Sequence, residues 1–217
     1  MQVIDLSHKI EAGMPCYPGT PAPLFREHCS LEEDGFAEQI FSMSTHTGTH
    51  VDMPSHIFRN GLSLDAFDID RFAGRGIVLD VRDVSGGIID IELLRPSFSL
   101  IKACEFLLLS TGWSRYWGTS GYYECYPVLS TEAALWLAGF GLKGFGMDTI
   151  SVDASDSPDF GVHRILLEQG TLLIENLADL SPLLHRNFIF CGFPLKLANA
   201  EASPIRAVAL VDCVGYS

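Results

Sequence analysis

Three histidines and one aspartate fall within the eleven residues His46-Thr47-Gly48-Thr49-His50-Val51-Asp52-Met53-Pro54-Ser55-His56. Neutral imidazole nitrogen and carboxylate oxygen are the donors that zinc, manganese and iron(II) accept. Counted from His46, the other three stand at offsets of four, six and ten. All are even, so an extended segment would turn the four side chains to one face. A helix would align His46 with His50 but rotate Asp52 and His56 away, at about 100° per residue. Gly48, Thr49 and Pro54 also disfavour a regular helix. The spacing predicts the end of a strand running into a tight loop, with its donors gathered around a divalent cation. No cysteine lies inside the segment, which sets it apart from zinc-finger sites. Three of the chain's seven histidines cluster here, which argues against ordinary surface or capping residues.

The pattern H-T-G-T-H-x-D-x-P-x-H resembles the signature of the cyclase-like metal-dependent hydrolases, which include bacterial kynurenine formamidase and isatin hydrolase. The residues alone make His163 and Glu175 the candidates for further ligands. They are twelve apart, at the start of an expected helix and in an expected strand, and two-metal hydrolases need a bridging carboxylate. Their surroundings, V-H-R-I-L-L and L-I-E-N-L, match the family. The resemblance implies two divalent ions per subunit, zinc first, with manganese or iron as alternatives. It implies that His46 and His50 bind the first ion and His163 the second, with Asp52 and Glu175 bridging.

His56 shares parity with the ligands but lies beyond Pro54. The family assigns this position to acid/base catalysis. An unperturbed imidazole pKa near ~6.5 suits a proton shuttle. The alternative is a residue that orients a ligand. In the formamidases a loop like Met14–Thr20 carries an aromatic that contacts substrate, commonly tryptophan. Tyr17 matches it here, and Thr20 stands where an acidic residue is more usual. That departure bears on N-formylkynurenine as the substrate, not on the hydrolase class.

The implied chemistry is attack on a carbonyl by water whose pKa the ions lower toward ~7, with His56 passing the proton to the leaving atom. The expected activity is arylformamidase-like cleavage of an amide, lactam or ester of a small substrate. The alternatives are a metal-dependent cyclase or dehydratase, and a non-catalytic metal-binding protein.

The elements that must hold these residues read as α/β. The resemblance implies a swivelling β/β/α domain spanning 1–217, with a mixed sheet and few helices. Strands are expected at Met1–Leu6, Glu38–Thr45, Gly76–Val81, Phe106–Thr111, Gly144–Ile150, Thr171–Asn176, Asn187–Phe193 and Ile205–Asp212. Glu38–Thr45 alternates and would deliver His46 at its end. Helices are expected at Asp65–Phe72, at Ile91–Arg95 until Pro96 stops it, after a cap at Ser130 or Thr131, and at Gly161–Leu167. Leu31–Asp34 reads as a loop tip. The aromatic stretch Trp113–Tyr126 reads as a loop lining a pocket or a subunit contact, or else covering the core. Ser151–Asp156 is a polar loop of the kind that edges an active site. Glu201 and Arg206 are further candidates to face the pocket, while His8, His28 and His185 read as structural or surface residues.

The 217 residues carry a net charge of −13 and 47% hydrophobic side chains, enough for a sizeable core. No basic stripe exists to bind phosphates, which disfavours nucleic acid and anionic membrane. No signal peptide or membrane span is visible. The six cysteines are scattered without a C-x-x-C pair, as expected for reduced core residues in a cytoplasmic enzyme. The expected partners are a small-molecule substrate and, by the resemblance, further copies of the chain in a homodimer or homotetramer.

Overall fold

The computed structural model describes residues 1–82, 84 and 87–211. Its strands are β1 (Gln2–Asp5), β2 (Leu24–Cys29), β3 (Glu38–Ser42), β4 (His50–Asp52), β5 (Ala73–Asp80), β6 (Ile88–Ile89), β7 (Phe106–Ser110), β8 (Val128–Leu129), β9 (Gly144–Met147), β10 (Leu172–Glu175), β11 (Phe188–Cys191), β12 (Ala202–Pro204) and β13 (Val208–Val211). The helices are short: α1 (Leu31–Asp34), α2 (Ile91–Leu94), α3 (Phe98–Ala103), α4 (Thr131–Ala138) and α5 (Gly161–Glu168). Nine strands make one mixed sheet, ordered β1-β13-β11-β5-β7-β9-β10-β4-β12. The four central strands β5-β7-β9-β10 are parallel, and every other pairing in the sheet is antiparallel. The expected mixed α/β architecture with few helices is what forms.

Burial explains the centre. Strands β7 and β10 are buried along their whole length, so both read as unbroken apolar runs up to a polar end. Their alternate residues serve two cores. Phe106, Leu108 and Ile174 pack with Leu6, Phe188 and Phe190 on one face. Leu107, Leu109 and Leu173 pack on the other face with Ala133, Ala134 and Leu137 of α4 and Val162, Leu166 and Leu167 of α5. Ser130 caps α4 by accepting from the Ala133 N–H at 3.1 Å. Among the described residues, no helix is long and apolar enough to cross a membrane.

Several local expectations give way. β3 stops at Ser42 and does not run on to His46. It pairs with β2 in a separate two-stranded sheet and is exposed throughout, because its alternation has no core to face. Leu31–Asp34, expected as a loop tip, is one helical turn, because Ser30 accepts from the Glu33 N–H and Gly35 adopts the left-handed conformation that ends it. Asp65–Phe72 forms two 3-10 turns, Leu64–Ala66 and Ile69–Phe72, with Phe67 extended between them. Pro96 does not stop the path after α2. It sits in the opening residues of a 3-10 turn, where a missing N–H costs nothing, and α3 follows at once. Trp113–Tyr126 forms two 3-10 turns. It makes an aromatic cluster around Tyr122 and Tyr126 with Tyr17 packed against it, and none of its own residues lines the cavity described below, so the pocket-lining alternative fails. Asp212 and Cys213 lie outside the described residues.

The loop after Pro54 has little slack. The Gly61 N–H donates to the Phe58 carbonyl at 2.8 Å, and the Ser55 N–H to the Leu62 carbonyl at 3.2 Å. A Cβ on Gly61 would lie 2.6 Å from the Ser55 nitrogen and overlap the Pro54 carbonyl. Both groups are backbone, so no side chain can yield. Gly61→Ala is expected to destabilise the fold by about 2–3 kcal/mol, at the upper end of ordinary overpacking. A denaturant midpoint within error of wild type would show that the loop relaxes freely.

Candidate metal centre

The His46–His56 segment is not extended throughout, contrary to the parity reading. A turn carries His46 into β4, and a 3-10 turn, Pro54–His56, follows it. Parity governs only His50 and Asp52, which share a face of β4. Gly48 takes φ +64°, the left-handed region that glycine adopts without strain, and this bends His46 back over the strand. Pro54 opens the 3-10 turn that swings His56 round to the same side. Strand β10 pairs with β4 so that Glu175 lies opposite His50. Helix α5 packs over the same face and points His163 inward from its first turn. Chain segments more than a hundred residues apart thus meet at the carboxyl ends of parallel strands, where α/β sheets place ligands.

Both carboxylates divide their oxygens between two sides. Asp52 Oδ1 lies 2.9 Å from His46 Nδ1 and 3.4 Å from His50 Nε2. Asp52 Oδ2 faces His163 Nε2 at 3.7 Å. Glu175 Oε2 is 3.5 Å from His50 Nε2, and its Oε1 is 3.3 Å from His163 Nε2. His56 completes the ring, its centroid 4.3 Å from that of His46 and 5.9 Å from that of His163. Two groups here hold their donor atoms within 4.8 Å of one another: His46 with Asp52 and His56, and His50 with Asp52 and Glu175.

These donors suit a cation and little else. The His50 Nδ1–H donates to the Gly48 carbonyl at 2.8 Å, which turns Nε2 toward the carboxylates as the ring atom available to a metal. That Nε2 and both Asp52 oxygens are buried without a hydrogen-bond partner. They are close enough for charge interaction but are not hydrogen-bonded. Buried polar atoms without partners are costly, and a cation bound among them would remove that cost. Burial pushes the Asp52 carboxyl up, yet His50, His163 and His46 together hold it well below the usual range. Burial opposes protonation of His163, but Asp153, Asp52 and Glu175 hold it well above the ordinary imidazole value. Burial lowers His56, with the Asp52 charge opposing and His46 and His163 adding to the effect.

Of the residues that orient the donors, Asp153 lies in the Ser151–Asp156 loop expected to edge the site, which it does, while Asn176 carried no sequence signal of its own. Asp153 Oδ2 sits 2.6 Å from His163 Nδ1 and accepts the His163 backbone N–H at 3.0 Å, while Oδ1 accepts the Val162 N–H at 2.9 Å. It fixes the helix start and the imidazole together. Asn176 Nδ2 donates to the Gly48 carbonyl at 3.1 Å, and Tyr122 Oη donates to Asn176 Oδ1 at 2.8 Å. The Asn176 carbonyl accepts from Thr49 Oγ1 at 2.6 Å. Only adjacency to Glu175 could have drawn attention to Asn176. Glu201 lies 3.6 Å from His46 Nε2 and accepts from Thr45 Oγ1 at 2.6 Å. Arg206 instead pairs with Asp5 at the surface. His8 stacks on Trp117 at 3.8 Å, and burial lowers its pKa to about 4. His185 is exposed in a turn.

Asn176 has φ +56°, so glycine keeps its backbone while deleting the amide. Asn176→Gly is expected to weaken zinc binding by ~10-fold or more, the range for residues that orient a ligand. A chelator-competition titration measures this, and unchanged affinity would remove Asn176 from the site's supports.

Above the donors lies a cavity of about 160 Å³. His46, His50, His56, His163 and Glu175 form its polar side, and Pro15, Tyr17, Ile150 and Phe160 its apolar walls. Tyr17 therefore reaches the pocket as expected, and Thr20 and Cys16 line it too. Phe160, which no sequence pattern flagged, holds φ +53° and meets the His163 ring edge-on at 5.8 Å.

A profile of the family described as Putative cyclase matches residues 4–154. That match ends before His163 and Glu175. The kynurenine formamidase of Bacillus cereus is 30% identical over 207 residues, covering 94% of this chain and 95% of that protein. An uncharacterised protein of Methanocaldococcus jannaschii is 29% identical over 219 residues, covering 97% of this chain and all of that one. Among solved structures, isatin hydrolase A from Labrenzia aggregata, bound to benzyl benzoate, superposes with a TM-score of 0.86. The superposition covers 97% of this chain and 94% of that one at 24% identity, a likeness of fold.

Proposed function

Because the chain belongs to the cyclase family, we propose that it is a metal-dependent hydrolase acting on an amide, lactam or ester of a small substrate. One observation carries this reading: His50 Nε2 and both Asp52 oxygens are buried without a hydrogen-bond partner, and they face His163 and Glu175 across the same small space. In this proposal His46 and His50 hold one divalent ion, His163 holds a second, and Asp52 and Glu175 bridge them. The division of each carboxylate's oxygens between His50 and His163 supports it. Zinc fits the nitrogen and oxygen donors, as do manganese and iron. Bound there, such ions polarise a carbonyl and lower the pKa of water.

The chain's own residues do the rest. His56 takes the proton from the attacking water and delivers it to the leaving nitrogen or oxygen. An amide nitrogen leaves poorly until protonated, so the acid must be in place. Tyr17 and Phe160 wall the cavity and hold the apolar part of a substrate out of water. The names of the relatives, kynurenine formamidase and isatin hydrolase, support a C–N bond as the target. The described cysteines are unpaired, in keeping with the proposed cytoplasmic setting, but only Cys191 is a core residue as expected: Cys16, Cys29 and Cys104 are part-exposed and Cys125 is exposed. The exposed Leu24, Ile40 and Phe41 of the β2–β3 arm are suited to pairing of subunits in a homodimer or homotetramer.

The test is turnover of N-formylkynurenine, isatin and simple aryl esters by metal-loaded enzyme in isotopically labelled water. Hydrolysis places one solvent oxygen in the product. The family's description favours a second reading, a cyclase, which would release product without that label. A metal-loaded protein inert on the whole panel would leave only metal binding.

A further inference from the structure

Among the described residues, three groups of His, Cys, Asp or Glu bring their donor atoms within 4.8 Å of one another. Two belong to the centre above. The third, His28, Cys29 and Glu38, lies on the β2–β3 arm and takes no part in that centre. We propose that it is a separate, thiolate-containing site for a zinc-type divalent cation, and that the cation ties the two strands of the arm together.

The backbone explains why these three meet. Neighbouring residues of a regular strand point to opposite faces, so His28 and Cys29 should part. The ladder pairs Glu27 with Gln39 but Cys29 with Glu38, so two residues of β2 stand against one of β3. Such a bulge re-aims a side chain and leaves a residue without its regular partner. Here it directs the His28 imidazole and the Cys29 thiol toward Glu38.

The donor chemistry points to a class of ion. Thiolate, imidazole and carboxylate are the donor types zinc takes, with a water free to complete a tetrahedron. Sulfur selects against magnesium and calcium, which prefer oxygen. Binding releases the Cys29 proton, because the thiolate is the ligand. His28 and Glu38 are exposed, so an ion can enter from solvent without any rearrangement of the core. The two strands form a sheet of their own. A bridge at the bulge therefore braces the arm where its ladder is interrupted.

Cobalt(II) titration of the reduced full-length chain tests this. The central donors are nitrogen and oxygen only, so a near-ultraviolet thiolate-to-cobalt charge-transfer band reports a cysteine site alone. The band is expected in wild type, to persist in His163→Ala, and to be lost in Cys29→Ser. His28→Ala and Glu38→Gln should each need more cobalt to reach half-saturation. Zinc should protect Cys29, and not exposed Cys125, from alkylation. Loss of the band in Cys16→Ser but not Cys29→Ser would move the thiolate to the pocket and overturn the proposal. So would cobalt binding with no charge-transfer band. Because Cys29→Ser leaves the central donors untouched, hydrolysis should survive it whichever way the arm result falls.

Discussion

Asp52→Asn should bring turnover down by ~10³-fold or more and leave the purified protein without its metal. Asparagine matches aspartate in shape, so the β4 ladder and the packing around it are kept. What goes is the charge. Asp52 is fully buried, and its two oxygens face His46 and His50 on one side and His163 on the other. In the substituted protein an amide N–H2 replaces one acceptor, and it repels a cation instead of binding it. In the proposed two-ion arrangement the loss would cover both ions, because Asp52 reaches both halves of the centre. Several kcal/mol of transition-state stabilisation go with a catalytic metal, which converts to the stated factor. Metal analysis and initial rates on the same preparation, with circular dichroism to show an intact fold, measure it. A variant that keeps wild-type metal content and rate would place the ions elsewhere.

His56→Ala should give the second-largest effect, of a different kind. Turnover should fall by ~10²–10⁴-fold, the range for a general acid–base, while metal content stays at the wild-type level. His56 is half-buried at the cavity wall and packs against His46 and His163, and the proposed ligand set is complete without it. Added imidazole should restore part of the rate, because the cavity left by the side chain opens to the pocket. The competing outcome has a geometric basis, since His46, Asp52 and His56 gather within 4.8 Å. Metal loss in step with activity would make His56 a ligand and remove it as the proton carrier.

Much of this centre was legible in the chain because metal chemistry restricts residue type. His46, His50 and Asp52 announce themselves by composition and spacing. His163 and Glu175 were legible chiefly through the resemblance of V-H-R-I-L-L and L-I-E-N-L to the family, and the helix leading back into a neighbouring strand explains why residues twelve apart meet at one end. The route by which the donors converge was not legible. Even spacing suggested one extended face, whereas turns on either side of a three-residue strand do the work for His46 and His56. Turns are set by single residues such as Gly48 and Pro54, whose effect on direction depends on what they pack against. Asn176 was hidden for another reason, and so were the individual roles of Asp153 and Tyr122, although the segments that hold these two were flagged. Their partners are single polar groups on other segments, the Val162 and His163 N–H groups and the His163 ring for Asp153 and the Asn176 amide for Tyr122, and no periodicity encodes such pairs. The β2–β3 arm misled for want of a core: an alternating strand reads the same whether it joins the main sheet or stands exposed in its own.

The most direct test of the central claim is anomalous diffraction from crystals grown with zinc or manganese, recorded on both sides of the metal's absorption edge. Two adjacent peaks are expected, both touching Asp52 and Glu175, one beside His46 and His50 and the other beside His163. Density at none of these side chains, or ions bound only at the arm, would contradict a metal centre built from these five residues.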